Sequence, residues 1–238
     1  MKQIICYCLF FLITPSYIYA QTITGQQLLE KSIQYHDPKD KWDTFKGTLP
    51  LKETRPNGAD RQSTLKLDNK KAYFYLDQNR EGYRIEKMVK GDVCSYKVNG
   101  SATVADSLVQ KFRLTCPQLQ RIRNYYVYLW GMPMKLKDPG TQIDKKVSTT
   151  TFQGDEVLSM KVTYDKAVGE DIWYFYFNPT NYALIGYRFY HDEAVNDGEY
   201  IPLVGEEIIN GIRFPKARTW YVNKDNRLLG ADILEGNK

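Results

Sequence analysis

The chain has 238 residues, enough for one large domain or two small ones. Hydrophobic residues at 42% and charged residues at 26% exclude wholesale disorder, and a formal charge of +5 with its signs interspersed excludes the clustered basic stripe of a nucleic-acid binder. Aromatics are abundant (19 Tyr, 10 Phe, 4 Trp), whereas 2 His and 4 Cys leave little for a zinc site, a dense disulfide framework or a His-rich catalytic centre.

Residues 1–20 read MKQIICYCLFFLITPSYIYA. A single charge at Lys2, an apolar run from Ile4 to Thr14, a break at Pro15-Ser16 and a small residue at Ala20 predict a secretory signal cleaved after Ala20. The run is shorter than the roughly 20 residues of a membrane span. Cys6 and Cys8 lie inside it without the flanks of a lipoprotein signal. Residues 21–238 contain no linker, low-complexity tract or repeat, so they are expected to form one domain.

Thr24-Gly25-Gln26-Gln27 has the form of a capping box, and Leu28, Leu29, Ile33 and Tyr35 predict a helix that runs to His36 and stops at Asp37-Pro38. From Lys46 the pattern changes to short strands separated by turn pairs such as Asn57-Gly58, Gly91-Asp92, Asn99-Gly100, Gly154-Asp155 and Asn210-Gly211. Asn99-Gly100-Ser101 also matches a glycosylation acceptor. Turns every 8–12 residues or so without intervening helices predict an antiparallel meander. Cys94 and Cys116 are the pair left after signal removal. In an exported chain they are consistent with a disulfide contributing about 3 kcal/mol, the other reading being two buried thiols.

One interruption is helical. Leu119, Ile122, Tyr126 and Leu129 fall on one side of a helix that Cys116-Pro117 opens and Gly131 and Pro133 close. Further on, Leu158, Met160, Val162 and Tyr164 alternate with Ser159, Lys161 and Thr163 as a half-buried strand. In Ile172–Phe177, Trp173, Phe175 and Phe177 point one way and Tyr174 and Tyr176 the other. The Trp/Phe face either packs a filled core or lines an apolar cavity, and composition does not separate the two.

The sequence lacks G-x-S-x-G, the phosphate-binding loop, the dinucleotide fingerprint and H-E-x-x-H. His191, Asp192, Glu193, Asp197 and Glu199 are weak metal candidates, since their carboxylates could hold a hard cation but lack the EF-hand order. His36, beside the apolar stripe of the first helix, is expected to be a packed histidine.

Four stretches carry a resemblance: LLEKSIQYHDPKDKWDTFKGTL, RNYYVYLWGMPMKLKDPGT, DIWYFYFNPTNYALIGYRFYHDEAVNDGEYI, and IRFPKARTWYVN with LLGADIL. Together they are similar to a domain-of-unknown-function family of secreted Bacteroidota proteins. The helix–strands–helix–strands order resembles the periplasmic lipoprotein-carrier superfamily (LolA/LolB-like). That resemblance implies a mainly β (α+β) fold, a curved antiparallel half-barrel of about 10–11 strands whose concave face is covered by an N-terminal and a central helix and receives acyl chains.

The expected function is therefore binding, by a periplasmic, non-enzymatic protein, soluble after signal removal and with no cofactor. Its partner is a hydrophobic small molecule, lipid or lipoprotein, and not nucleic acid. The candidate ligand-binding residues are Trp173, Phe175, Phe177, Leu158, Met160 and Val162 on the sheet and Tyr126, Leu129, Met132 and Met134 on the helical cover. Two alternatives stand beside it: an envelope interaction protein with a filled core, and a hydrolase using His36, His191 and neighbouring carboxylates.

Overall fold

The structure, a computed structural model, describes residues 23–236. The predicted signal segment lies outside the described residues.

Thr24 caps the first helix, α1 (Gly25–His36), as the sequence predicts: its hydroxyl accepts the Gln27 N–H, and the Gln27 side chain accepts the Thr24 N–H at 2.9 Å. The buried face of α1 is Gly25, Leu28, Leu29, Ser32 and His36, a helical stripe that leaves Tyr35 at its margin, bonded to Glu206. Five strands follow: β1 (Lys46–Arg55), β2 (Gly58–Asp68), β3 (Tyr73–Arg80), β4 (Tyr83–Lys90) and β5 (Val93–Val98). A short helix α2 (Asp106–Phe112), which the sequence pattern does not mark, precedes the central helix α3 (Cys116–Trp130). Seven strands complete the described residues: β6 (Thr141–Phe152), β7 (Asp155–Tyr164), β8 (Ile172–Phe177), β9 (Leu184–Tyr190), β10 (Glu199–Ile209), β11 (Ile212–Val222) and β12 (Leu228–Leu234). The count of twelve is slightly above the 10–11 or so that the resemblance implies.

All twelve strands form one antiparallel sheet in the order β5-β4-β3-β2-β1-β12-β11-β10-β9-β8-β7-β6. Each pairs with its neighbour in the chain except at the centre, where β1 pairs with β12 and joins the two halves. The consecutive strands β5 and β6 therefore stand at opposite edges. The segment between them has to cross a face of the sheet, and α3 is that crossing. The sheet remains open, and its β6 edge is blunted by a bulge between Ile143 and Val147 and by Lys145 and Lys146. Cys94 on β5 and Cys116 at the start of α3 form a disulfide with Cα atoms 5.5 Å apart, pinning the helix to the other edge.

Period-two alternation sends one residue set inward on every strand. Leu49, Leu51, Leu65, Phe74, Leu76, Ile85, Phe175, Phe177 and Phe214 join α1 and α3 in one continuous core. The opposite parity makes a second, smaller cluster on the outer face. Phe152 stacks on Tyr176 with ring centroids 4.2 Å apart, and Tyr200 stacks on Tyr221 at 5.1 Å. Cross-strand aromatic pairing thus accounts for the outward tyrosines of β8.

Candidate ligand-binding site

The predicted sheet residues share the inner face. Register pairs Leu158 with Phe177, Met160 with Phe175 and Val162 with Trp173 across β7 and β8. Met160, Val162, Phe175 and Phe177 are fully buried, whereas Leu158 and Trp173 are half-buried. From the helical cover, Tyr126, Leu129, Met132 and Met134 are all buried in the same core. The structure brings the ten residues to one interior, and there the helix packs against the sheet.

The interior opens beside α3. A cleft of about 720 Å³ has Trp42 and the β2–β3 corner with Tyr73 and Phe74 on one wall, and Arg123, Val127 and Tyr128 of α3 on another. Tyr164, the loop from Val168 to Asp171 and Trp173 form a third wall. Tyr128 and Tyr164 join their hydroxyls across it, tying α3 to the end of β7. Burial is the main cause that pushes Tyr164 up to about 12, so both phenols stay protonated at neutral pH. The size is that of a small-molecule site, and the lining is mixed rather than wholly apolar.

Below α3 lies a polar group that the sequence reading misses. Glu53 of β1 accepts hydrogen bonds from Ser63 (2.6 Å), from Gln78 (3.1 Å) and from the Tyr126 hydroxyl (3.2 Å), and Lys87 donates to Gln78 at 2.9 Å. Burial lowers the Lys87 ammonium to about 8 and raises the Tyr126 phenol well above its ordinary range. Burial, then the charge of Glu53, raises Asp232 to about 6. Arg218, 1% exposed, donates to the Leu129 carbonyl at 2.9 Å and lies 3.9 Å from the Trp130 ring centroid. The signal was present in the alternation. Glu53 shares parity with Leu49 and Leu51, Lys87 with Ile85 and Val89, and Arg218 with Ile212 and Phe214, so each is a charge at an inward position.

The histidines do not meet. His36 is 2% exposed, with Nδ1 2.9 Å from the Arg213 carbonyl and Nε2 2.9 Å from the Leu184 N–H, which fixes a neutral ring donating from Nδ1. Burial lowers its pKa in the same sense. His191 follows the far end of β9 from Leu184, roughly 20 Å away at about 3.3 Å per residue. It is exposed and bonded to Asp171 at 2.6 Å, which raises its pKa. The neighbouring carboxylates point to separate partners: Asp192 to the Ala194 N–H, Asp197 to the His191 and Asp192 N–H groups, and Glu193 to Tyr174 and Lys161. Glu199 stands half-buried, its pKa raised by burial. Among the described residues no group of three His, Cys, Asp or Glu is arranged to hold a metal ion.

An open antiparallel half-barrel with a helix crossing its concave face is a LolA-like architecture, and solved structures share it. A LolA superfamily protein of Nitrosomonas europaea superposes with a TM-score of 0.51 at 13% identity, covering 91% of this chain and 96% of that one. A proposed outer membrane lipoprotein-sorting protein domain of Vibrio parahaemolyticus gives 0.53 at 7% identity over 89% and 90%. A DUF1329 family protein of Desulfovibrio piger gives 0.51 at 10% identity over 90% and 92%. At these identities the likeness is one of fold. The chain itself belongs to the family of unknown function DUF6503, which it matches over residues 2–236. No curated protein matches it in sequence.

Proposed function

We propose that this is an exported, periplasmic carrier that holds an apolar or amphipathic ligand between α3 and the concave sheet, without catalysis. The observation that carries the proposal is the cleft beside α3, where half-buried Val127, Tyr128, Tyr164 and Trp173 stand over buried Trp42 and Phe74 at the edge of the main core, within a rim of polar side chains. Loop and helix ends at a rim are free to move in ways that a packed sheet is not, so a chain-like ligand would enter there and displace part of α3. Each buried methylene is worth about 0.8 kcal/mol, so an acyl chain needs no special chemistry to bind. Resemblance to lipoprotein-sorting folds supports the same ligand class.

The tightly filled interior favours a second reading, an envelope interaction module whose sheet is simply a core. Native mass spectrometry and lipid extraction of the purified protein decide between the two. The carrier reading expects a copurifying apolar species or saturable uptake of a fluorescent fatty acid, weakened several-fold by Trp173→Ala. No ligand and no uptake would leave the interaction module standing.

A further inference from the structure

On the outer face of β1–β4, cations are paired at one end of the strands and unpaired at the other. Lys52 of β1 meets Asp60 of β2 at 3.0 Å, and Arg84 of β4 meets Asp77 of β3 at 2.7 Å. At the opposite end, Lys46, Lys66, Lys71 and Lys90 line a hollow of about 680 Å³. None of these four makes an ion pair among the described residues.

Register accounts for the convergence. Lys46 stands opposite Asp68, Asp68 opposite Tyr73, and Tyr73 opposite Lys90, so one row runs from β1 to β4. Lys66 lies two residues back along β2 on the same face, and Lys71 comes from the one-turn helix Asn69–Lys71 that joins β2 to β3. Adjacent strands lie about 4.8 Å apart, so Lys46 and Lys90 bracket a patch roughly 14 Å wide. The far wall is the tip of the β10–β11 hairpin. Asn210 donates to the Lys46 carbonyl at 2.6 Å, and Lys41 donates to the Asn210 carbonyl at 3.3 Å, which brings a fifth ammonium to the rim.

Four lysines face a single carboxylate in this lining. Asp68 is 9% exposed, and its Oδ1 accepts the Lys71 N–H at 3.2 Å, which caps the one-turn helix. Lys66 rests over the Tyr75 ring, 5.4 Å from its centroid, a contact that orients the ammonium without neutralising it. Like charges gathered without counter-ions repel one another, and a hollow lets them act on one anion from several sides. The cleft beside α3 shares only Tyr73 with this hollow, so the two are separate sites.

We propose that the hollow binds clustered phosphates: two or more phosphoryl groups held close together, as in a diphosphate or in neighbouring headgroups of an anionic bilayer. A terminal phosphoryl group carries about 1.5–2 negative charges at neutral pH, so a pair of them offsets the excess of lysine over carboxylate. Lysine binds phosphate as a mobile point charge. The planar fork that grips a carboxylate bidentately belongs to arginine, which is missing from this lining. The site stands independently of the carrier reading.

Calorimetric titration of the full chain with pyrophosphate and with inorganic phosphate tests it, beside cosedimentation with vesicles of phosphatidylcholine alone and with one-third phosphatidylglycerol. The expected result is pyrophosphate binding about tenfold or more tighter than inorganic phosphate, or a comparable preference for the anionic vesicles over the neutral ones. Pyrophosphate binding alone assigns a soluble ligand, and vesicle binding alone assigns a lipid headgroup. Lys66→Gln with Lys90→Gln should weaken the observed binding about twentyfold, at roughly fivefold per lysine. Lys145→Gln with Lys146→Gln, which removes the same charge from the exposed β6 edge, should leave it unchanged. Equal weakening by the two pairs would overturn the hollow in favour of net charge alone. Equal affinity for the two phosphates without a vesicle preference, or no binding at all, would overturn it as well.

Discussion

Single residues on the inner face do two kinds of work. Leu49, Leu51 and Phe74 bury apolar surface, whereas Glu53, Gln78 and Tyr126 fix α3 to the sheet through buried hydrogen bonds. Tyr126→Phe keeps the ring and removes the hydroxyl from Glu53 and Gln78, so unfolding titrations should show a loss of about 1–3 kcal/mol. Asp232 gives a pH signature. Its folded pKa of about 6 lies above the ordinary 3.8, so between those values the folded protein keeps a proton that the unfolded chain has released. The stability it contributes is complete below the unfolded value and is lost as pH rises through about 6. Asp232→Asn should remove this fall, worth about 3 kcal/mol, from the stability profile measured between pH 4 and pH 7. An unchanged profile would mean that the carboxyl is not desolvated.

At the scale of elements, the decisive one is α3. Its start is tied to β5 by Cys94–Cys116, its middle to β1 and β3 by Tyr126, and its end to β11 by Arg218. The disulfide closes a loop of separation 22 around α2, so reduction, or Cys94→Ser with Cys116→Ser, should lower stability by about 3 kcal/mol. If the carrier reading holds, the freed helix should also take up an apolar probe faster, because α3 is what a ligand has to displace. Stopped-flow uptake with and without reductant measures this. The first helix has a different anchor, since His36 joins it to β9 and β11 through both ring nitrogens. Acid that protonates His36 breaks the Leu184 bond, so the α1 contact weakens as pH falls below the lowered His36 pKa.

For the whole molecule, the pairing of β1 with β12 is the joint on which the fold depends. It brings Leu51 beside Leu234 and Glu53 beside Asp232, residues separated by most of the chain. A chain ending at residue 227 loses β12, leaves β1 and β11 with open edges and exposes the core beneath. It should fail to unfold cooperatively and should aggregate, as heating followed by circular dichroism and light scattering would show. A truncated chain with a sharp transition would mean that each half folds by itself.

Much of this was legible in the sequence, because it depends on short-range periodicity. The capping box at Thr24, the stripe Leu119, Ile122, Tyr126 and Leu129, the hairpin turns and the opposed parities of β8 all follow from spacings within a few residues. What the sequence left open is decided over long distances. Alternation tells which residues of β1, β11 and β12 share a face, but only their registers bring Glu53, Asp232 and Arg218 into one line. Likewise the aromatic surplus could have lined a cavity or filled a core. Tertiary packing divided it three ways: a buried core around Phe175 and Phe177, a stacked outer cluster around Tyr176 and Tyr200, and half-open rings at Trp173 and Trp220. The sequence by itself determined the elements and their faces, since those are set by backbone geometry repeating every two or 3.6 residues. The tertiary structure alone decided which faces meet and where the interior stays open, since that depends on contacts between residues far apart in the chain.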